Sequence, residues 1–121
     1  MPEIKPYTST SGRPYVYDDI EKIAKTDPES AVAITDDLDM LQRDPLAKLL
    51  TAKVVKQLKG KRYKALYELI SECKNFGYRI FFSIAGSTYW LLHSFKKKGN
   101  RTPTKELETA KNRSDDLKNQ K

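Results

Sequence analysis

The spacing of apolar residues changes along the chain, and each change marks a new kind of element. From Pro14 onward Val16, Ile20, Ile23 and Ala24 recur every three to four residues, with Asp18, Asp19 and Glu21 between them. That interval places the apolar side chains on one side of a helix and predicts a first helix ending near Lys25. Thr26-Asp27-Pro28-Glu29 reads as a second start. An Asp side chain accepts from free backbone N–H groups, proline suits the first helical position, and an acidic residue suits the positive end of the helix. Ala31, Ile34, Leu38 and Leu41 then carry a stripe that predicts a helix over about 28–43, ended by Pro45. Leu46 to Leu58 fits either a helical turn or a loop leading into a strand.

After Gly60 the pattern shifts to β-branched and aromatic residues in short runs. Residues 65–72, 78–84 and 88–95 are separated by Asn75-Phe76-Gly77 and Ala85-Gly86-Ser87, which predicts a three-stranded antiparallel meander. Residues 1–13 hold two prolines and a Thr-Ser-Thr-Ser-Gly run; they are irregular, or an edge strand near Ile4 to Tyr7. Thr102-Pro103 opens a last helix, over 102–119, with Leu107, Ala110 and Leu117 as a thin apolar stripe. The predicted fold class is α+β: two N-terminal helices (14–46) on a small antiparallel sheet of three or four strands (60–95), then a C-terminal helix, in one domain spanning 1–121. With the helices on one sheet face, the other face is left open.

Charge sharpens this picture. Residues 1–47 carry 5 Lys/Arg against 10 Asp/Glu, whereas residues 48–121 carry 18 against 6, giving the net +7 of the whole chain. A basic C-terminal part favours a polyanion or an acidic protein as partner, against the plainer reading of solubility and lysine-rich helices. The single Cys73 excludes an intramolecular disulfide and fits a reducing compartment. No apolar run approaches the roughly 20 residues of a membrane span, so a cytoplasmic protein with no membrane partner is expected. No Gly-rich phosphate loop, metal-ligand cluster or Ser/His/Asp set is evident, and neither metal nor cofactor is expected.

The candidate chemistry lies at the end of the meander. If Ala85-Gly86-Ser87 is a three-residue loop, Ile84 faces Thr88 and Arg79 faces His93. Ile80, Phe82, Ile84, Trp90 and Leu92 then form the core face, and Arg79, Phe81, Ser83, Tyr89, Leu91 and His93 the open one. A two-residue loop would instead set His93 opposite Ile80. An Arg and a His beside Lys96, Lys97, Lys98 and Arg101 suit a phosphodiester. RNA cleavage by its own 2′-hydroxyl needs a base, cations on the crowded phosphorus and an acid for the leaving oxygen. His93 is the candidate base or acid, since histidine exchanges a proton near neutrality. Arg79 offers fixed bidentate donors to the oxyanion. Lys97, Lys98 and Arg101 can hold phosphates, and Tyr89 or Phe81 can stack a base. Each has a plainer alternative: a packed histidine, an Arg79–Glu68 pair across the sheet, a solvated lysine turn, aromatic core.

One stretch carries more than its parts. Tyr78-Arg79-Ile80, Leu91-Leu92-His93-Ser94-Phe95, the run from Phe95 through Lys96, Lys97, Lys98 and Arg101 to Thr102-Pro103, and then Glu106-Leu107, Ala110 and Arg113 resemble, without a gap, the tail of the HigB-like branch of the RelE toxin superfamily, which includes phage-derived Gp49-like proteins. Upstream, Lys56 with Leu58 and Leu66-Tyr67-Glu68-Leu69 are similar to further motifs of that family, so the resemblance covers about residues 54–113. It implies a RelE-like fold and a toxin that cleaves messenger RNA, usually on the ribosome and without a metal. It also implies a cognate antitoxin, often with a helix-turn-helix domain. Taken together, the candidate site residues are Arg79, His93 and Lys97 for catalysis, with Lys56, Lys59, Lys98, Arg101 and Tyr89 on RNA. The family's arginine after Glu-Leu is Ile70 here, a lost cation that favours the alternative of a module that binds RNA or an antitoxin without cutting. A gyrase-directed toxin, a role found elsewhere in the superfamily, is the third alternative.

Overall fold

A computed structural model describes residues 1–120; Lys121, the last residue of the predicted domain, lies outside them. Strand β1 (Glu3–Pro6) is followed by helices α1 (Tyr15–Thr26), α2 (Pro28–Arg43) and α3 (Leu46–Thr51), strands β2 (Val55–Gln57), β3 (Leu66–Glu72), β4 (Gly77–Ala85) and β5 (Thr88–Lys97), and helix α4 (Thr104–Asn119). The class is α+β, with one five-stranded sheet in the order β1-β5-β4-β3-β2. The predicted meander is its centre. Two edges extend it: β2 pairs antiparallel with β3, and β1 pairs parallel with β5, which makes the sheet mixed. Among the described residues no helix is long and apolar enough to cross a membrane.

The helix signals act as read. The Asp27 side chain accepts from the Ser30 backbone N–H at 3.2 Å and the Ser30 hydroxyl at 2.6 Å, closing the start of α2 with Pro28 in its first turn. The ambiguous stretch from Leu46 holds both alternatives in succession, a short helix and then a strand. They are joined by Lys53 at φ 63°, where the N–H groups of Val54 and Lys53 return to the carbonyls of Leu49 and Leu50. That double bond is a helix stop usually built on glycine.

Two expectations fail at the β4–β5 hairpin. Ala85 pairs with Thr88, so the turn is Gly86-Ser87 and not three residues. Gly86 at φ 60° opens a two-residue turn whose twist matches that of the strands. The register then shifts between Phe81 and Phe82: Phe82 pairs with Leu91 but Phe81 with His93, leaving Leu92 as the extra residue of a bulge. Its carbonyl is met by Arg113 of α4 at 2.8 Å. Arg79 consequently lies opposite Phe95 rather than His93.

The layer arrangement is also corrected. Helices α1 and α2 cover one sheet face, where Val16, Ile20, Ile34 and Leu41 pack on Leu69, Tyr78, Ile80, Phe82, Tyr89 and Leu91. The other face is not open. Helix α4 lies on it, with Ala110 in a second core against Leu66, Phe81, Leu92 and Phe95, flanked by Leu107 and Leu117. The thin stripe on α4 is enough because the helix spans only part of that face. Arg113 pins it further, its guanidinium 3.8 Å from the Tyr15 ring centre.

Candidate functional site

The face under α4 holds most of the polar residues singled out above, arranged in rows across the sheet. One row runs Lys56, Glu68, Phe81, His93; the next Ile70, Arg79, Phe95; the last Glu72, Gly77, Lys97. Because α4 begins only at Thr104, the rows holding Arg79 and Lys97 lie at its open end. His93 is the point where helix and sheet meet.

His93 Nε2 stands 2.8 Å from Glu106 Oε1, and its ring stacks on Phe95 with 6.0 Å between centres. A carboxylate accepts, so Nε2 carries the hydrogen and Nδ1 keeps the lone pair that can take a proton. The side chain is 15% exposed. Helix α4 thus fixes ring orientation in the way an acid partner orients a catalytic histidine.

Arg79 is 12% exposed and already engaged: Nη2 lies 3.0 Å from Glu72 Oε1, Nε 3.9 Å from Glu68 Oε2, and Nη1 donates to the Tyr78 carbonyl at 3.0 Å. Glu72 is 65% exposed, so solvent screens that contact and a stronger anion can displace it. Glu68 is different. It is buried, and among the described residues its Oε2 is the buried side-chain oxygen with no hydrogen-bond partner. Gly77 leaves this floor clear, since a Cβ there would meet Glu72 Oε2 at 3.1 Å and Arg79 Nη1 at 3.3 Å.

The basic run after Phe95 divides by strand alternation. Lys96 leaves toward the α1 face, its Nζ 4.5 Å from the Phe76 ring centre. Lys97 turns to the α4 face and donates to Thr102 Oγ1 at 3.3 Å. Lys98 and Arg101 are exposed in the connection to α4, beside this end of the site. Lys56 is exposed at the β2 edge of the His93 row. Lys59 follows β2 beyond Leu58, which bonds Leu66, and so stands at the opposite end of the sheet from Lys97. Tyr89 is placed wrongly by the expected register: it is buried on the α1/α2 face, stacked on Phe82, and cannot receive a base. Phe81 is fully buried as well.

Sequence reasoning found the Arg79–Glu68 neighbourhood but missed Glu72 as the closer partner, Thr102 on Lys97 and Glu106 on His93. The first depends on the β3–β4 register and the others on how α4 folds back, which strand periodicity does not contain. The fold and this face together define an α+β protein with a histidine–carboxylate pair and two cations on one sheet face under a terminal helix. A family model described as phage-derived protein Gp49-like matches residues 21–115, and the chain belongs to that family. No curated protein matches it.

Proposed function

We propose that this protein is a toxin of the RelE/HigB type, an endoribonuclease that cuts messenger RNA by attack of the 2′-hydroxyl. The observation that carries the reading is the His93–Glu106 pair beside Arg79 and Lys97 on one face. His93 Nδ1 takes the 2′-hydroxyl proton, the 2′-oxygen bonds to phosphorus, and the 5′-oxygen leaves with a proton from the Lys97 ammonium. The products are a 2′,3′-cyclic phosphate and a 5′-hydroxyl. Arg79 releases Glu72 and turns its guanidinium to the non-bridging oxygens, where charge accumulates. Lys98 and Arg101 hold flanking phosphates, and Lys56 extends the cationic edge. Ribosome-bound mRNA as substrate and an antitoxin, of helix-turn-helix type, as inhibitor follow from the family resemblance.

A second reading has its own support. Ile70 occupies the row of Arg79 where the family's arginine is expected, and Arg79 itself is held by two carboxylates. A module that binds RNA or an antitoxin without cutting fits that arrangement. Induced expression in a bacterial host, with 5′-end mapping of transcripts, separates the two. Growth arrest with new in-frame cuts, lost in Arg79→Ala and His93→Ala, supports the ribonuclease. Soluble protein with neither arrest nor cuts leaves the binding module. Arrest of DNA replication with intact RNA points to gyrase instead.

A further inference from the structure

A second group of cations lies away from the candidate cleavage site. Around Arg79, His93 and Lys97 stand three carboxylates, Glu68, Glu72 and Glu106. The far end of α4 is different. From Glu106 to Lys118 the helix rises about 18 Å, and there it forms a groove with the β2–β3 connection. This groove, of about 430 Å³, is lined by Lys61, Arg62, Lys64, Lys111, Ser114 and Lys118. Arg62 is committed to Glu108, Nε to Oε2 at 2.7 Å, and Lys111 to Asp115 at 2.6 Å. Among the described residues no carboxylate lies within 4 Å of the ammonium groups of Lys61, Lys64 or Lys118.

A second cavity, of about 290 Å³, adjoins the first through Ala65, Ser114 and Lys118. It adds an aromatic and aliphatic wall: Trp90, Ile84, Ala85 and Leu117, with Ser83 and Gln120, line it between α4 and the β4–β5 hairpin. Trp90 is partly exposed, and Lys5 of β1 stands over its ring at 5.8 Å from the centre. A simple anion has no use for the aromatic cavity, and an apolar ligand none for three unpaired lysines. A nucleotide satisfies both at once, because every unit of a single strand carries a phosphate and a flat ring. Aromatic stacking of this kind accepts any base.

We propose that this double groove is a second RNA-binding site, with a base of a single strand against Trp90 and its phosphates on Lys61, Lys64 and Lys118. Lys59 stands at the same end of the sheet and belongs to this surface rather than to the candidate cleavage site. The inference rests on the RNA reading above for the identity of the polymer, but not on cleavage.

Trp90 is the one tryptophan of the chain, so its fluorescence reports this groove alone. The test titrates the full chain with a 2′-O-methyl RNA octamer, which cannot be cut, following Trp90 emission and the anisotropy of labelled RNA together. Saturable quenching is expected. The Lys61→Ala/Lys64→Ala/Lys118→Ala variant, altered only at exposed side chains, should bind about tenfold or more weakly, with its log–log salt slope reduced by about 2, since each phosphate contact on a single strand contributes about 0.7. Unchanged Trp90 emission, whether or not RNA binds, overturns the proposal, as does an acidic peptide octamer that quenches equally well. Cleavage of messenger RNA on translating ribosomes is scored in parallel. Quenching without cleavage sinks the ribonuclease and leaves this site standing; cleavage without quenching does the reverse.

Discussion

The two faces of the sheet are built to different standards. On the α1/α2 face the core is apolar, and among the described residues none of its fully buried side-chain oxygens lacks a partner: Tyr78 donates to Ser94, Ser94 to Asp19, and Ser71 to Asp37. On the α4 face the same strands half-bury an arginine and a histidine and fully bury a glutamate, Glu68, whose unpartnered oxygen lies there. Buried polar groups are normally satisfied because an unmet one costs about 1–3 kcal/mol. The first face therefore holds the fold, and the second gives up stability to keep two cations and a histidine close together. Substitutions on the two faces should separate stability from activity.

The largest effect belongs to the first face. Phe82 is fully buried between Tyr67 and Tyr89, with ring centres 5.5 and 5.3 Å away. Phe82→Ala should cost about 3–5 kcal/mol in urea unfolding through lost transfer energy and a cavity. A loss below about 1 kcal/mol would break the comparison, because it would mean that the α1/α2 core can collapse around the gap.

Arg79 tests the second face. Arg79→Ala should lower RNA cleavage by about 10²–10³-fold, or about 2.7–4 kcal/mol, if its guanidinium meets the oxyanion. It also leaves Glu68 without its nearest cation, so stability must be measured beside activity and Glu68→Gln/Arg79→Ala included. Recovery of stability without activity in the double variant assigns the arginine to the reaction; recovery of both assigns it to the fold. Ile70→Arg sharpens the point, since it restores the family's cation in the row beside Glu68. Faster cleavage, by up to about 10²-fold, is the expected result. A slower or unchanged rate would show that Ile70 is not what limits this site.

How much of this was legible in the sequence follows the same division. The helices, the meander and the capping by Asp27 were readable because each is encoded by residues close in the chain. The Leu92 bulge was not. It depends on a two-residue turn at Gly86 and on Arg113, twenty-one residues beyond Leu92, meeting the freed carbonyl. One misjudged residue of register was enough to exchange Tyr89 and Leu91 with Trp90 and Leu92 between faces, since strand side chains alternate. Arg79, His93 and Lys97 still share a face because the bulge sets His93, Phe95 and Lys97 on the side of Arg79. The coverage of that face by α4, and with it the His93–Glu106 pair, comes from packing that no local pattern specifies.

The smallest effect belongs to a carboxylate behind the first face. Asp37 of α2 is half-buried and bonded by Ser71 Oγ at 2.6 Å, and burial raises its pKa above the ordinary 3.8, with the Ser71 bond opposing. A carboxyl whose folded value is raised is best tolerated below its unfolded value, and that part of the stability is lost as pH rises through the folded value. Asp37→Asn removes the charge and keeps an oxygen for Ser71, so it should stabilise slightly at pH 7 and make no difference near pH 3. Urea midpoints at the two pH values check this. A variant less stable at pH 7 would mean that the Ser71 bond to a charged Asp37 outweighs the cost of its burial.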